Sequence, residues 1–286
     1  MDSRTANPAG GTRVSVCLPA RDEARTIGAI VRELASVPLV DDIVVIDDGS
    51  TDDTAIVAQA AGAHVVAEAT LLPEAGPGSG KGNVLWKSLF ACRGDIVCWL
   101  DADLRNFSGE YVNRLVTPLL TNPLVMFVKA YYERSFEGAP TGGGRVTELA
   151  ARPVLSLLFP KLADIVQPLG GEYAGRREAL EVLPFVEGWG VELGLLIDIV
   201  ERFGRDSVAQ VDLGVREHRN RPLEQLGPQA LAVIATALRR AGLLEIDAPV
   251  VELLRYRPDG TLDAAPVEVR ERPPIVTVPA YRARFS

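Results

Sequence analysis

Short apolar runs and helical patterns alternate along the first hundred residues of the chain. Arg13–Ala20, RVSVCLPA, predicts a strand, and Asp42–Asp47 is a short, nearly all-apolar run typical of a strand buried on both faces of a parallel sheet. Between them, apolar residues recur at helical spacing and predict a helix over Glu23–Leu34. The turn DGSTDDT predicts a second helix, capped at Ser50 or Thr51. The later elements predicted here are strand His64–Ala67, helix Gly82–Cys92 and strand Asp95–Leu100.

This order of elements predicts a doubly wound α/β fold with a central, mainly parallel sheet. In such folds, ligands bind beyond the carboxyl ends of the strands. After Asp103 the alternation is less regular, and a proline-bearing tail follows from about Ala248. The elements predicted between them are helix Tyr111–Leu120, strand Val125–Tyr131, helix Gly190–Phe203, strand Val208–Val215 and helix Glu224–Ala241.

Composition excludes several classes of protein. A chain of 286 residues, 47% of them apolar, can bury a full core. Its net charge of −8 argues against broad binding to nucleic acid. No apolar run is long enough for a membrane span, and MDSRTANPAGGTR lacks the apolar core of a signal peptide. Cys17, Cys92 and Cys98 lie in apolar segments without metal spacing, which favours reduced, cytoplasmic thiols.

The stretch Gly76–Lys87, GPGSGKGNVLWK, is glycine-rich and opens a predicted helix. It is not a P-loop, because Ala75 stands where the first glycine belongs and Gly82 stands where a serine or threonine belongs. No G-x-G-x-x-G follows the first strand, which argues against a hydride-transfer enzyme. Two interpretations remain: an anion-binding helix start with Lys81 beside it, or a surface loop that caps a helix.

Asp101 and Asp103 follow the apolar strand DIVCWL directly. At strand spacing, positions i and i+2 point to the same side, so both carboxylates can address one cation. Hard oxygen ligands favour Mg²⁺ or Mn²⁺, with substrate phosphates as further ligands. The same pattern also arises as solvated turn carboxylates, and its place at a strand end is what favours a ligand site.

Two further polar centres lie in the second half. Val215–Pro222, VREHRNRP, sets His218 among arginines suited to phosphate or carboxylate, and its imidazole can complete a divalent-metal site. Thr141–Thr147, TGGGRVT, combines glycines that let backbone amides approach a ligand with the guanidinium of Arg145. A solvated basic turn and a flexible loop before a helix are the alternative interpretations.

Together, these motifs resemble those of the actinobacterial glucosyl-3-phosphoglycerate synthases, which are retaining glycosyltransferases of the GT-A fold. The resemblance covers most of the chain, from about Arg13 to Gly227. The first two segments and the D-x-D pattern are common to many GT-A enzymes, whereas TGGGRVTEL and VREHRNRPL are far more specific. The segments that carry it are VCLPARDEARTI, VVIDDGSTDDT, GKGNVLWKSL, WLDADL, TGGGRVTELAARP, QPLGGEYAGRR, GWGVELGLLID and LGVREHRNRPL.

The resemblance implies retaining transfer of glucose from UDP-glucose to the 2-hydroxyl of 3-phosphoglycerate, with Mg²⁺ or Mn²⁺, in a cytoplasmic homodimer. It implies a donor site made of Pro19, Ala20, Arg21, Glu23 and Asp48 at the base and ribose, Lys81 at the diphosphate, and Asp101 at the ribose or sugar. It implies Asp103 and His218 as metal ligands. It implies an acceptor site of Gly144, Arg145, Thr147 and Asn220, with Glu192 at the hydroxyls of the sugar. Lys81, Asp103 and Glu192 are the catalytic residues that it implies.

The chain departs from those relatives at three of these positions. Asp48 stands where they have a serine, Trp189 where they have a tyrosine, and Gly170 where they have a second serine. Asp48 adds charge near the base, and the other two changes bear on which sugar fits. Mannosyl transfer from GDP-mannose is therefore an alternative, as is a GT-A transferase with another donor or acceptor. A nucleotidyltransferase and a non-catalytic nucleotide-sugar sensor are the alternatives from other classes.

The predicted organisation is a disordered leader over residues 1–12, a single GT-A catalytic domain over 13–247 and a C-terminal extension over 248–286. Residues 13–103 form the predicted nucleotide-sugar half of that domain, and 104–247 the acceptor half. The sequence alone identifies no carboxylate nucleophile beneath the sugar, as a retaining glycosidase would have. The resemblance favours front-face attack, in which the departing phosphate oxygen takes the proton of the acceptor.

Overall fold

The computed structural model describes residues 11–136, 139–142, 144–216, 223–245, 248–257 and 259–285, with side chains described outside 134–143 and 216–223. The strands are β1 Val14–Ala20, β2 Asp42–Asp47, β3 His64–Ala67, β4 Ile96–Trp99, β5 Phe127–Phe136, β6 Ala139–Gly142, β7 Tyr173–Arg176, β8 Phe185–Val186, β9 Val208–Arg216, β10 Val250–Tyr256, β11 Leu262–Glu268 and β12 Glu271–Arg272. The helices are α1 Ile27–Leu34, α2 Thr54–Ala60, α3 Gly80–Ala91, α4 Glu110–Thr121, α5 Arg152–Leu158, α6 Arg177–Leu180, α7 Val191–Phe203, α8 Leu223–Arg240 and α9 Pro279–Phe285.

Within these residues the main sheet has eight strands in the order β3-β2-β1-β4-β7-β5-β6, with β9 paired to β5. β1 is parallel to both β2 and β4, and β2 is parallel to β3. β7 runs antiparallel to β4 and β5, while β9 is parallel to β5. The carboxyl ends of β1, β2 and β4 therefore lie along one edge of the sheet, where α/β folds bind ligands.

Helices cover the sheet on both faces. The side chain of Cys17 in β1 packs with α3 and α7 on one face, and those of Val16 and Leu18 pack with α1 and α4 on the other. Because both faces are buried, the strand is apolar at nearly every position, and Ser15 is its one polar residue. Each fully buried large apolar side chain contributes about 1.5–3 kcal/mol to stability.

The order of the predicted elements is confirmed, and several of their ends are corrected. β2 and β3 have the predicted bounds. α1 begins at Ile27 rather than Glu23, because residues 23–26 form a turn in which the Thr26 amide donates to the Glu23 carbonyl at 3.1 Å. α3 begins at Gly80 rather than Gly82, so Lys81 belongs to the first turn of the helix.

The C-terminal residues, predicted as a proline-bearing tail, form regular structure. β10 and β11 are an antiparallel hairpin, and β12 pairs with β8. α9 places Tyr281 in the core, where its hydroxyl donates to Glu181 at 2.8 Å. The indole N–H of Trp86 donates to the Pro273 carbonyl at 2.7 Å. This end of the chain is therefore integrated with the body of the fold.

Two predictions from composition bear on the whole chain. In the described parts, no helix is long and apolar enough to cross a membrane. Cys17, Cys92 and Cys98 are buried and free, as their apolar surroundings in the sequence predicted.

Candidate active site

The loops that follow β1 and β2 are tied together at the edge of the sheet. The backbone N–H of Asp22 donates to the hydroxyl of Ser50 at 3.0 Å, and the N–H of Thr51 donates to the carboxylate of Asp22 at 2.7 Å. The Glu23 amide donates to the hydroxyl of Thr54 at 2.7 Å. Asp22 has a φ of 57°, a left-handed conformation that these contacts hold in place. The two loops thus form one rigid wall.

These contacts correct the predicted start of α2. Ser50 and Thr51 do not cap that helix, because their polar groups bind the loop after β1. The helix begins at Thr54, with Asp53 at the N-cap position. The error arises because capping is a local pattern, and here the same side chains have partners some thirty residues away in the sequence.

The predicted donor residues at this wall have different environments. Pro19 is half-buried and Ala20 is buried at the end of β1, and the Ala20 carbonyl accepts from the Asp48 amide at 2.9 Å. The guanidinium of Arg21, largely exposed, lies 4.0 Å from the Asp48 carboxylate. Burial, and then the negative charge of Glu68, raise the pKa of Asp48. A carboxylate rather than a serine hydroxyl therefore stands at the predicted base site.

Lys81, Asp101 and Glu192 form the central contact of the candidate site. Nζ of Lys81 donates to Asp101 Oδ1 at 2.8 Å and lies 3.0 Å from Glu192 Oε1. Burial alone would lower the pKa of Lys81, but the two carboxylates outweigh that effect and raise it well above its ordinary value. Glu192, in the first turn of α7, is only 5% exposed. Three residues from distant parts of the chain thus form one charged cluster.

Asp101 and Asp103 lie in a turn beyond the end of β4. The expectation that they share one side of a strand is therefore wrong, because the strand ends at Trp99. The turn is held by the hydroxyl of Thr26, which donates to the Ala102 carbonyl at 2.7 Å. Burial, and then repulsion from Asp103, raise the pKa of Glu23 to about 6. The edge of the sheet near Asp103 is therefore strongly acidic, which suits a cation.

A buried lysine supports the other side of the Asp101 carboxylate. A Cβ atom added to Gly171 would lie 2.3 Å from Asp101 Oδ2, so only glycine allows this backbone to approach so closely. Lys129, on β5 and 1% exposed, donates a hydrogen bond to the Gly170 carbonyl. Its Nζ atom lies 4.4 Å above the ring of Tyr173. Lys129 therefore fixes the loop against which Asp101 rests.

The predicted acceptor residues belong to another part of the molecule. Gly144 has a φ of 73° and opens a helical segment that continues through a π-helical turn, Thr147–Ala151, into α5. Arg145 is half-buried and Thr147 is buried. The π-helical turn packs against α8, the helix that follows the basic segment 216–222. The helical elements that follow these two predicted acceptor segments therefore pack against each other.

His218 and Asn220 lie outside the described residues. The amide of Asn106, three residues after Asp103, donates to the carbonyl of Val215 at 2.6 Å. Val215 precedes His218 by three residues, so this bond ties the D-x-D turn to the strand that leads to the histidine. Among the residues that the structure describes, no three His, Cys, Asp or Glu side chains are grouped to hold a metal ion.

The sequence prediction missed several residues that shape the site. They are Lys129, Glu187 and Arg272, each buried. A lysine inside the apolar run MFVKAYY was a signal that could have been noticed, because lysine is rarely buried without a partner. Arg272 carried no such signal, because it lies in a segment predicted as a tail. Trp189, at the turn before α7, is 40% exposed.

Comparisons with known proteins show what this chain is similar to. The family model for glycosyl transferase family 2 matches residues 15–183. The glucosyl-3-phosphoglycerate synthase of Mycolicibacterium paratuberculosis is 48% identical over 280 residues, which cover 94% of this chain and 85% of that protein.

Two crystal structures of the Mycobacterium tuberculosis glucosyl-3-phosphoglycerate synthase are also similar to this chain. One, in complex with Mn²⁺, UDP-glucose and phosphoglyceric acid, has a TM-score of 0.84 at 47% identity and covers 93% of this chain and 90% of its own. The other, in complex with Mg²⁺ and UDP, has a TM-score of 0.84 at 48% identity, with coverages of 93% and 91%. The predicted GT-A fold class and the family resemblance are confirmed.

Proposed function

This chain belongs to glycosyl transferase family 2 and is a nucleotide-sugar-dependent glycosyltransferase, and from that premise we propose that it transfers glucose from UDP-glucose to the 2-hydroxyl of 3-phosphoglycerate with retention. The observation that carries the proposal is the cluster of Lys81, Asp101 and Glu192 at the carboxyl edge of the sheet. Its one cation faces the edge where a diphosphate would lie, and its two carboxylates can accept hydrogen bonds from sugar hydroxyls. Relatives with nearly half the residues in common bind these substrates.

We assign Asp103 and His218 as the protein ligands of a divalent cation, Mg²⁺ or Mn²⁺. The acidic surroundings of Asp103, which contribute to the raised pKa of Glu23, support this assignment. So does the hydrogen bond from Asn106 to Val215, which links the D-x-D turn to the strand before His218. The chemistry that such a cation supplies is neutralisation of charge on the departing nucleoside diphosphate.

The remaining proposed roles are those that the family resemblance implies. Lys81 adds positive charge at the diphosphate, and Pro19, Ala20, Arg21, Glu23 and Asp48 form the base and ribose pocket. Gly144, Arg145 and Thr147 hold the phosphate of 3-phosphoglycerate, and Asn220 its carboxylate. The contact between the π-helical turn at Thr147 and α8 supports one shared acceptor site. Holding both substrates in line is worth up to about 7–11 kcal/mol of the barrier.

Glu192 is assigned to binding sugar hydroxyls rather than to nucleophilic attack. Its Oε1 atom is paired with Lys81 at 3.0 Å, and a carboxylate held in this way is a weaker nucleophile but a good hydrogen-bond acceptor. Front-face attack, with the departing phosphate taking the acceptor proton, then explains retention. Mass spectrometry of the wild-type enzyme incubated with UDP-glucose and no acceptor tests this role. A covalent glucosyl adduct on Glu192 would contradict it.

The test of the reaction is nucleoside diphosphate release with Mg²⁺ or Mn²⁺, from UDP-glucose and from GDP-mannose, with and without 3-phosphoglycerate. UDP release that requires 3-phosphoglycerate is the expected result. GDP release that requires it would assign mannosyl transfer instead. Nucleoside diphosphate release at the same rate with and without 3-phosphoglycerate would indicate another acceptor. Release of pyrophosphate would indicate a nucleotidyltransferase. No release of either product would indicate a non-catalytic sensor.

A cytoplasmic homodimer is the proposed state. Free, buried cysteines support a reducing compartment. Exposed apolar side chains on the C-terminal hairpin, among them Leu254 at 58% and Leu262 at 57%, support a subunit contact there. Light scattering after size exclusion is expected to give twice the monomer mass, and a monomer would contradict the dimer.

A further inference from the structure

Arg272 is a buried arginine that binds the loop leading into Lys81. It lies in β12, far along the chain from that loop, and is 5% exposed. Its guanidinium donates to the carbonyls of Ala75 at 2.7 Å and Gly76 at 3.2 Å, and to the side chain of Asn83 at 3.0 Å. The one guanidinium thus binds two backbone carbonyls in the loop before α3 and one side chain within the helix.

The same guanidinium binds the turn that leads to Glu192. Nε of Arg272 lies 2.7 Å from Oε1 of Glu187, which is 1% exposed. The other oxygen of Glu187 accepts from the amide of Ser79, the residue before α3, at 3.2 Å. Glu187 also donates its own amide to the Arg270 carbonyl at 2.8 Å. Glu187 and Arg272 therefore connect the start of α3, the turn before α7 and the C-terminal strand.

The start of α3 and the turn before α7 are in direct backbone contact. A Cβ on Gly80 would lie 2.8 Å from Cα of Gly188, and one on Gly78 would lie 2.0 Å from Nη2 of Arg272. The loop is thus pressed between the arginine and the turn. Lys81 follows Gly80 directly, and Glu192 lies four residues after Gly188. Any shift of one backbone against the other changes the contact between Lys81 and Glu192.

We propose that Arg272 is a positioning residue for the donor site. By binding the loop 75–79 on one side and Glu187 on the other, it sets the distance between the start of α3 and the turn before α7, and thereby holds Lys81 between Asp101 and Glu192. The proposal rests on transfer from a nucleotide sugar, not on the identity of the acceptor. It assigns a role in the donor site to the C-terminal segment.

Arg177 offers a matched control. It is 9% exposed and, like Arg272, its guanidinium donates to backbone carbonyls, those of Leu89, Cys92 and Gly94 at 2.7–2.9 Å. Those carbonyls precede β4, at the opposite end of that strand from Asp101. Loss of either guanidinium removes a buried set of hydrogen bonds. Only the loss of the Arg272 guanidinium should displace Lys81 from its carboxylate partners.

The experiment compares Arg272→Lys with Arg177→Lys. The readouts are the melting temperature, the affinity for UDP by calorimetry and the rate of UDP release from UDP-glucose. Both variants are expected to melt at lower temperature. Arg272→Lys is expected to lose about 10- to 100-fold in kcat/KM for UDP-glucose, because small misplacements of catalytic groups have effects of that size. Arg177→Lys is expected to stay within about twofold of the wild type.

A second arm separates positioning from general damage. In the wild-type background, Arg272→Lys is expected to weaken UDP binding at least about fivefold. In a Lys81→Met background the same change should alter UDP affinity by less than about twofold, because it acts through Lys81. An equal loss of UDP affinity in both backgrounds would overturn the proposal. So would equal losses of kcat/KM for Arg272→Lys and Arg177→Lys. If Arg272→Lys fails to fold, Glu187→Gln replaces it in the same comparisons. Because UDP binding needs no acceptor, a wrong acceptor assignment would leave the comparison of UDP affinities intact.

Discussion

Lys81 is a lysine with two carboxylate partners and little contact with water. At 18% exposure its charge is poorly screened, so removal of the ammonium leaves Asp101 and Glu192 facing each other without a counter-charge. The same ammonium is the cation assigned to the departing diphosphate. We therefore propose that the residue serves both stability and catalysis, and a useful experiment has to separate the two.

Lys81→Met is expected to lower kcat by about 10²–10³-fold, the effect of removing one group that stabilises developing charge. Arg240→Met is the control, because Arg240 is also a mostly buried cation with two carboxylate partners, Asp198 at 2.6 Å and Glu271 at 2.5 Å. Both variants are expected to melt at lower temperature in thermal unfolding. Only Lys81→Met should lose activity beyond tenfold, and equal losses of kcat would contradict the role of Lys81.

Lys129 supports the loop beside Asp101 at an electrostatic cost. Burial lowers its pKa to about 7, although the charge of Glu192 acts in the opposite direction. In the unfolded chain the pKa returns to its ordinary value of 10.5. Between these values the unfolded state binds more protons than the folded state, so this residue makes the fold more stable as pH rises from about 7 toward 10.5.

Lys129→Met is expected to remove that pH dependence. The free energy of unfolding of the wild type should rise relative to the variant by up to about 1.4 kcal/mol per pH unit above pH 7. Denaturant unfolding at pH 7, 8 and 9 measures the difference. The exposed Lys161, changed to Met, is the control and should show a constant difference. A constant difference for Lys129→Met as well would mean that its pKa is not lowered.

At the scale of elements, the contact between α3 and β8 depends on one glycine. A Cβ on Gly82 would lie 1.8 Å from the carbonyl oxygen of Val186, a backbone atom that cannot move alone. Gly194 in α7 is a helical glycine with more room, since its added Cβ would lie 3.1 Å from a side-chain methyl of Val186. We therefore expect alanine to be tolerated at Gly194 but not at Gly82.

Gly82→Ala is expected to destabilise the fold by at least about 1–3 kcal/mol, the usual effect of overpacking. Gly194→Ala should lie within about 1 kcal/mol of the wild type, because alanine also favours the helix by about that amount. Denaturant unfolding of both variants measures the two changes in the free energy of unfolding. Equal tolerance at the two positions would mean that α3 does not lie so close to β8.

The elements of the parallel half were predictable because their signals are local. Strands buried on both faces are apolar throughout, and Asp42–Asp47 was bounded correctly on that basis. The start of α2 was wrong because Ser50 and Thr51 bind a loop distant in sequence, which no local pattern reveals. Lys81, Asp101 and Glu192 were each singled out, but their mutual contact depends on the packing of α3 and α7 against β4.

At the scale of the molecule, the boundary after residue 247 and the division at residue 103 stay predictions. The buried contacts of the C-terminal segment indicate that it is needed for folding. Ile275 and Tyr281 are fully buried in the core that α3 and α7 share, and Arg272 donates to the carbonyl of Ala75 in the loop before α3. The described contacts of this segment are those of a core element rather than of a detachable tail.

A chain that ends at residue 247 is therefore expected to lose cooperative thermal unfolding. Removal of the buried side chains of Ile275 and Tyr281 alone leaves cavities that lower the free energy of unfolding by several kcal/mol. A chain that lacks residues 1–12, the predicted leader, is the control and should keep the wild-type melting temperature. Calorimetry of the two truncated chains is the measurement. Cooperative unfolding of the 247-residue chain near the wild-type temperature would show that residues 13–247 fold alone.

The central proposal is that this site joins glucose to the 2-hydroxyl of 3-phosphoglycerate with retention. The measurement that tests it most directly is NMR of the product formed from UDP-glucose, 3-phosphoglycerate and Mg²⁺. A single α-anomeric signal, correlated through the glycosidic bond with carbon 2 of the glycerate, is the predicted result. A β-linked product, or free glucose with 3-phosphoglycerate unchanged, would contradict it.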